Sequence, residues 1–282
     1  MTRTAWLDGA FLPLDEARVP AMDRGYLFAD GIYEVTAVLD GRLVDSAAHL
    51  ARLEQSAAAI GIALPRSLAE IEGIERDLIA RDAIDQGTVY LQLTRGAHDR
   101  DFLPPSDLAP SLFLFTQARN IIDNPAAERG VTVVTMPDLR WARRDIKSVM
   151  LLAQVMAKRA AAEQGAQEAW LVEDGLVTEG ASSTALIVSR DGSLITRPNS
   201  QAILPGCTRR AVLALAERDG IMLEERAFTV AEALSAREAM LTSASNLVLP
   251  IVRINGQPIS DGRPGPIAAR LRALYIEMAR DG

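Results

Sequence analysis

Residues 143–149 read RRDIKSV. The lysine inside this stretch, Lys147, is one of two in the chain, with Lys158, among thirty lysines and arginines together. The arginine bias has a plain explanation in the base usage of the gene, yet that leaves these two lysines standing. Arginine stays protonated at any working pH, whereas a lysine amine can be desolvated, deprotonated and used as a nucleophile. A retained lysine is therefore a candidate for chemistry, and a solvated surface charge is the alternative for each.

Context separates the two. Residues 148–165, SVMLLAQVMAKRAAAEQG, carry a helical pattern stopped by Gly165, so a long helix is expected with Lys147 at its start, under the influence of the helix dipole. Lys158 lies about three turns along that helix among acid and amide neighbours and reads as a surface charge.

Working outward, Asp8-Gly9, Asp40-Gly41, Asp174-Gly175, Asp191-Gly192 and Asn255-Gly256 each separate two strand-like runs and predict tight hairpins. Helical spacing of Leu50, Leu53, Ala57 and Ile60 predicts a helix from Ser46, capped by Asp45 or Ser46, and a second helix covers residues 67–83. TVYLQLTRG and SLFLFTQ read as strands split by the loop HDRDFLPPSDLAP. Residues 117–130 are polar and without period, and beyond them strands alternate with helices again, including TRRAVLALAERDG and the C-terminal PIAARLRALYIEMAR. The expectation is an α+β protein in two domains, 1–118 and 131–282, joined by a linker at 119–130.

A chain of 282 residues with 49% hydrophobic residues can bury a large core. The net charge of −7 argues against a nucleic-acid partner, since phosphate backbones recruit clustered basic faces. No window approaches 18 uninterrupted apolar residues, and the N-terminal stretch carries acids and a turn where a leader needs an apolar run. A cytoplasmic protein without a membrane partner is expected, and no metal. The single cysteine, Cys207, excludes an internal disulfide; it reads as a buried small residue, with a reactive thiol as the alternative.

A lysine that forms a Schiff base with pyridoxal phosphate needs companions: a carboxylate for the pyridine nitrogen, backbone amides and a cation for the phosphate, and a cation for the substrate carboxylate. Glu179, in VTEGASST, is a candidate for the first. The run ILPGCTR at 203–209 precedes a helix, a geometry in which free amides hold phosphate, and Arg52 is a candidate cation. Each also has an ordinary reading, as a solvated acid, a plain helix start and a surface arginine.

Taken in order, DRGYLFADGIYEV (23–35), YLQLTRG (90–96), RWARRDIKSVMLLAQVMAK (140–158), VTEGASS (177–183) and ILPGCTR resemble the D-amino acid aminotransferases among the fold-type IV pyridoxal-phosphate enzymes, the superfamily that also holds branched-chain aminotransferases and aminodeoxychorismate lyases. The resemblance implies a smaller N-terminal α/β sandwich, a larger C-terminal cofactor-binding domain of mixed strands and helices, an active site between domains at a homodimer interface, and pyridoxal 5′-phosphate as cofactor. It makes Lys147 the Schiff-base lysine, Glu179 the pyridine-nitrogen partner, Arg52 a phosphate ligand and Leu204 the side chain against the cofactor ring. Cys207, Thr208, Ser243 and Ala244 then complete the phosphate cup, Ala244 through its amide alone, because a bacterial member carries a hydroxyl residue there.

Tyr33 resembles part of the trap for the substrate carboxylate, and Arg100 the arginine contributed to it by the neighbouring subunit. Phe102 stands where a better-known member has a histidine donor, a loss of roughly 1.5–3 kcal/mol of carboxylate binding unless His98 replaces it. The implied reaction is ping-pong transfer of the amino group of a D-amino acid to a 2-oxo acid. The alternatives are an (R)-selective amine transaminase, a branched-chain aminotransferase, an aminodeoxychorismate lyase and a non-catalytic binding protein.

Overall fold

The computed structural model describes residues 3–281; residues 1, 2 and 282, inside the expected domain bounds, lie outside the described residues. The chain divides into two compact units. The first runs to Asn120 and includes Ile146–Met150, and the second comprises Ile121–Asp145 and the chain from Leu151 onward.

In the first unit, β1 (Thr4–Leu7) and β2 (Ala10–Pro13) form a hairpin through Asp8 and Gly9, both at positive φ. Then follow α1 (Arg24–Phe28), β3 (Gly31–Leu39) and β4 (Arg42–Leu43), the last two joined through Asp40-Gly41. Helices α2 (Ser46–Ala59) and α3 (Leu68–Asp82) precede β5 (Gly87–Thr94) and β6 (Ser111–Ala118). Among the described residues the strands form one antiparallel sheet in the order β2-β1-β6-β5-β3-β4. Val89, Leu91 and Leu93 alternate along β5 with Leu112 and Leu114 along β6, and they are buried, as are Leu50 and Leu53 of α2 and Ile71 and Leu78 of α3. Each such side chain contributes roughly 1.5–3 kcal/mol by leaving water.

Ser67 caps α3 in a reciprocal box with Glu70. The expected side-chain cap of α2 is absent: Asp45 sits at the cap position in the left-handed region without a side-chain bond to the helix, and Ser46 Oγ is buried without a partner. The Asp45 carbonyl is used instead, accepting from the Ala48 and His49 amides.

The second unit opens with α4 (Pro125–Arg129), capped by Asn124 with proline at its first position, in a stretch that reads as irregular. It continues with β7 (Val131–Pro137), α5 (Leu152–Glu163), β8 (Glu168–Glu173), β9 (Leu176–Gly180), β10 (Thr184–Val188) and β11 (Leu194–Thr196). Then come α6 (Cys207–Arg218), β12 (Leu223–Glu225), α7 (Val230–Ser235), β13 (Glu238–Ser243), β14 (Leu247–Ile254), β15 (Gln257–Pro258) and α8 (Pro266–Asp281). The described strands form a mixed sheet in the order β12-β11-β10-β13-β14-β7-β8-β9, with β15 paired to β14. β7 runs parallel to β8 and β14, and β11 to β12; the other pairs are antiparallel. Trp170 and Phe228, edge to face at 5.8 Å, pack in its core with Ile187, Leu241 and Ile251. β13 is central and buried on both faces, so it lacks the alternation that marks a half-exposed strand. The Asp191-Gly192 turn is wider than the two-residue type, spanning Ser189 to Ser193.

The helix after Lys147 starts later than its pattern suggests. α5 begins at Leu152, and residues 147–149 lie extended against the start of β3. Tyr33 N donates to Lys147 O and Val149 N to Gly31 O, both at 3.0 Å. Lys147 N itself donates to Ser56 Oγ on α2 (3.2 Å). Lys147 is thus held by strand pairing, outside the first helical turn where a dipole acts. No described helix is long and apolar enough to cross a membrane.

Candidate active site

In the first unit the stretch 23–35 builds a seat before it presents any chemistry. Asp23 caps α1, its Oδ1 accepting from Gly25 N (2.8 Å) and its Oδ2 from Thr94 Oγ1 (2.7 Å). A Cβ at Gly25 would stand 2.4 Å from Thr94 Cγ2, so only glycine lets α1 lie this close to the end of β5. β3 then leaves in a fixed direction, and its side chains alternate between two faces.

Tyr33 and Lys147 meet on one of them. The Lys147 Nζ stands 4.2 Å from the centre of the Tyr33 ring, which stacks on Tyr90 at 5.9 Å. With the backbone of residue 147 bonded to β3 and α2, the amine moves only through its own side-chain torsions. Burial, with the Tyr33 phenol adding to it, pushes the Tyr90 phenol up to about 12, so Tyr90 stays a neutral donor, to Gln92 Oε1 (2.7 Å).

The next residue, Glu34, points the other way and is buried. It accepts from His49 Nδ1 and from Arg52 Nε and Nη2, each at 2.8 Å. Burial works against its charge, but Arg52 and then His49 outweigh it and hold the carboxyl at about 2. Arg52 is therefore a buried cation whose Nε and Nη2 already grip a carboxylate. His98 and Arg100 occupy the loop between β5 and β6. His98 Nδ1 donates to Asp99 O (2.9 Å), and the Arg100 guanidinium lies 5.1 Å from the Phe28 ring. Among the described residues no hydrogen bond or ring contact joins either of them to Tyr33 or Lys147.

In the second unit, Glu179 on β9 is buried beside a charge network. Arg140 Nη1 forms a close ion pair with Glu179 Oε1, while Arg140 Nε and Nη2 bond Asp138 at 2.9 and 2.7 Å. Thr178 Oγ1 donates to Asp138 (2.7 Å), and Leu204 N donates to both Glu179 oxygens (3.2 and 3.3 Å). Burial raises the Glu179 carboxyl above its ordinary range despite the opposing Arg140 charge; at Asp138 burial acts in the same sense, but the Arg140 bonds prevail and lower it. Removing one member of a buried pair leaves the other charge uncompensated. Arg140→Met should cost roughly 3–5 kcal/mol of stability, read as a fall in Tm, and a variant that melts with the parent would refute the pairing.

Gly206 sits at the cap position of α6 and no side chain caps the helix, while Cys207 and Thr208, in its first turn, are buried. A Cβ at Gly206 would stand 2.8 Å from Thr184 Oγ1, so the approach to this helix end is kept narrow by glycine. Ser243 and Ala244 form the turn after β13, where Asn246 Nδ2 donates to Ser243 Oγ (3.2 Å). Thr242, paired in register with Thr184, has a buried Oγ1 without a partner. Uncapped amides, a glycine-walled approach and an orphaned hydroxyl make a site that fits an anion.

Asp138, Arg140, Glu34 and His49 carry much of this geometry, and reading residue by residue assigns none of them a role. Arg140 opens the stretch that contains Lys147, and Glu34 follows Tyr33; period-2 alternation alone puts Glu34 on the opposite face from Tyr33, but its partners on α2 appear only on folding.

A family model described as amino-transferase class IV matches residues 31–254. A D-alanine aminotransferase from Bacillus licheniformis is 40% identical over 267 residues, 94% of this chain and 93% of that protein. The branched-chain amino acid aminotransferase of Escherichia coli superposes with a TM-score of 0.92, covering 99% of this chain and 95% of the other at 20% identity, a likeness of fold alone. A hypothetical aminotransferase from Mycobacterium tuberculosis, in a PLP-bound form, gives a TM-score of 0.86 at 26% identity and covers 99% of both chains.

Proposed function

Because the chain belongs to the class IV aminotransferases, we propose that it is a pyridoxal 5′-phosphate-dependent enzyme that moves the amino group of a D-amino acid, D-alanine among them, to a 2-oxo acid in two half-reactions. The observation that carries this reading is Lys147, a rare lysine in an arginine-rich chain, its backbone bonded on two sides and its amine set over the Tyr33 ring.

The cofactor's demands fit the residues present. In the second unit the uncapped end of α6 at Cys207 and Thr208, with the Ser243–Ala244 turn, would hold the phosphate; Glu179, buried and fixed by Arg140 and Leu204 N, would face the ring nitrogen, and Leu204 would pack on the ring. When bound, pyridoxal phosphate supplies an aldehyde that condenses with amines and a ring that withdraws electrons from the neighbouring carbon. Lys147 Nζ removes the Cα proton of the substrate and later returns one, acting as base and then acid. Tyr33 and Arg100 of the partner subunit hold the substrate carboxylate, which leaves the Cα–H bond as the one presented to the amine. Glu179 offers its carboxyl as the partner of a protonated ring nitrogen, and Arg140, itself held by Asp138, fixes its position.

The test is direct. Protein purified with pyridoxal phosphate and given D-alanine and 2-oxoglutarate should form pyruvate and D-glutamate, with L-alanine at least about a hundredfold poorer; an L-preference of that size would refute the proposal. Phe102, 76% exposed, favours a second reading. With no histidine at that position, carboxylate-free (R)-amines become acceptable donors, and turnover of (R)-1-phenylethylamine exceeding that of D-alanine would put this reading first.

We place the enzyme in the cytoplasm as a homodimer. Leu152, Val155 and Met156, 56–71% exposed, form an i, i+3, i+4 stripe on α5, an apolar face that a second copy would cover. Sedimentation at one chain mass across micromolar concentrations would exclude the dimer.

A further inference from the structure

Arg24 and Phe28 lie four residues apart on α1 and so project to one side of it. Arg24 is 4% exposed, and every nitrogen of its guanidinium is engaged. Nε donates to Asp30 Oδ2 (2.8 Å), Nη1 to Asp101 O (2.5 Å) and Nη2 to Phe102 O (3.2 Å). Asp30 is itself anchored by Arg95, at 2.8 and 3.0 Å, and Arg95 by the carbonyls of Ile60 (2.6 Å) and Gly61 (2.8 Å). One edge of Arg24 thus sits in an ion-paired seat within the unit while the other grips two successive carbonyls of the β5–β6 loop, directly after Arg100. Phe28 joins the same assembly. Its ring lies 4.6 Å from the Arg24 guanidinium, 5.1 Å from that of Arg100 and 5.4 Å from the ring of Phe102.

A guanidinium that forks onto two backbone carbonyls does for a loop what a strand partner does for a strand: it removes the backbone freedom that a ligand would otherwise have to quench. We propose that Arg24 and Phe28 are positioning residues for substrate-carboxylate recognition, acting by fixing the loop that presents Arg100. The inference rests on the reading of Arg100 as a carboxylate ligand. Its consequence is specific. Loosening the loop weakens the capture of carboxylate-bearing substrates and leaves the proton transfer at Lys147 largely alone, because no Arg24 contact reaches that amine.

The experiment compares wild type, Arg24→Met, Arg24→Lys, Phe28→Leu and Arg100→Ala, each as holoenzyme, in the single-turnover half-reaction with D-alanine followed by cofactor absorbance. Arg24→Met should raise the half-saturating D-alanine concentration at least tenfold while the saturated rate falls less than threefold, and trypsin should cut after Arg100 at least fivefold faster. Arg24→Lys, which keeps the charge and the Asp30 ion pair but cannot bond both carbonyls, should fall between; with Phe28→Leu it decides the matter if Arg24→Met does not fold. Half-saturation within twofold of wild type, unchanged tryptic cleavage, or a parallel loss of affinity, rate and bound cofactor would overturn the proposal. Weaker D-alanine capture in Arg100→Ala without any in the Arg24 variants overturns this inference alone; unchanged capture in Arg100→Ala overturns the reading of Arg100 and this inference with it.

Discussion

Replacing Lys147 by alanine will lower D-alanine transamination by about 10³-fold or more while the protein melts within a few degrees of the parent. The two halves of this expectation come from different atoms. Tyr33 N to Lys147 O, Val149 N to Gly31 O and Lys147 N to Ser56 Oγ all use the main chain of the 147–149 segment, and truncating the side chain touches none of them. What is lost structurally is the contact of the amine with the Tyr33 ring, worth about 0.5–1 kcal/mol at a partly exposed site. What is lost chemically is the base and acid, a contribution of roughly 10²–10⁴ by itself, together with the nucleophile. Lys147→Arg should be as inactive as the alanine variant, since a guanidinium keeps its proton under all working conditions. Steady-state assays with thermal melts decide the point: a variant that turns over within tenfold of the parent would sink the assignment.

Stability of the first unit should fall as pH rises between about 5 and 8, and Glu75→Gln should remove most of that fall. Glu75 lies on α3, 2% exposed, and its Oε2 has no hydrogen-bond partner. Burial pushes its carboxyl up to about 8; His49 on α2 and Arg76 on its own helix oppose the shift, while Glu34 on β3 and Glu72 add to it. The folded chain therefore holds this proton up to pH near 8, whereas the unfolded chain releases it near 4.5. Between those values the folded state binds more protons, so the contribution is fully present below the lower value and is lost as pH climbs through the upper one. The slope is at most about 1.4 kcal/mol per pH unit. At pH 8 the glutamine variant should melt about 4 °C or more above wild type, and the two curves should converge near pH 5. Parallel curves across this range would mean that Glu75 ionises normally and the unpartnered oxygen is solvated.

Glu34, two elements away, behaves in the opposite sense because its surroundings differ, although both acids are almost completely buried. Arg52 and His49 bond it and hold it at about 2, so its stabilisation persists through neutral pH and is lost only in strong acid, from about 4.5 down to 2. Of these two acids, burial prevails at Glu75, whose Oε2 has no hydrogen-bond partner, and is overcome at Glu34, where a guanidinium fork bonds the carboxylate.

Much of this protein is legible along the chain. Period-2 alternation in β5 and β6, the Asp-Gly hairpins after β1, β3 and β8, and the helical spacing of α2, α3, α6 and α8 are local, because neighbouring residues and turn chemistry are sufficient to set them. The chemistry-bearing stretch was visible for the same reason: lysine is rare here, and its flanking motif is contiguous. Two departures from the local pattern share one cause. β13 lacks alternation because strands cover both its edges and neither face meets water, and α5 starts four residues later than its apolar run because the segment before it is taken up by β3. Both outcomes depend on what lies across the fold.

The sequence alone determined most of the elements, where most of them turn, and that Lys147 is the candidate for chemistry, since these follow from side-chain type and spacing within a few residues. Only the tertiary structure decided that residues 146–150 join the first unit, that Arg52 shares Glu34 with His49, and that Arg140 fixes Glu179. The Glu34 and Glu179 pairings link residues 15 to 39 positions apart, and the bond from Tyr33 N to Lys147 O that holds the 146–150 segment links residues 114 positions apart. Burial and partnership, the two quantities that set a charge's cost and its chemistry, do not exist until distant segments have packed.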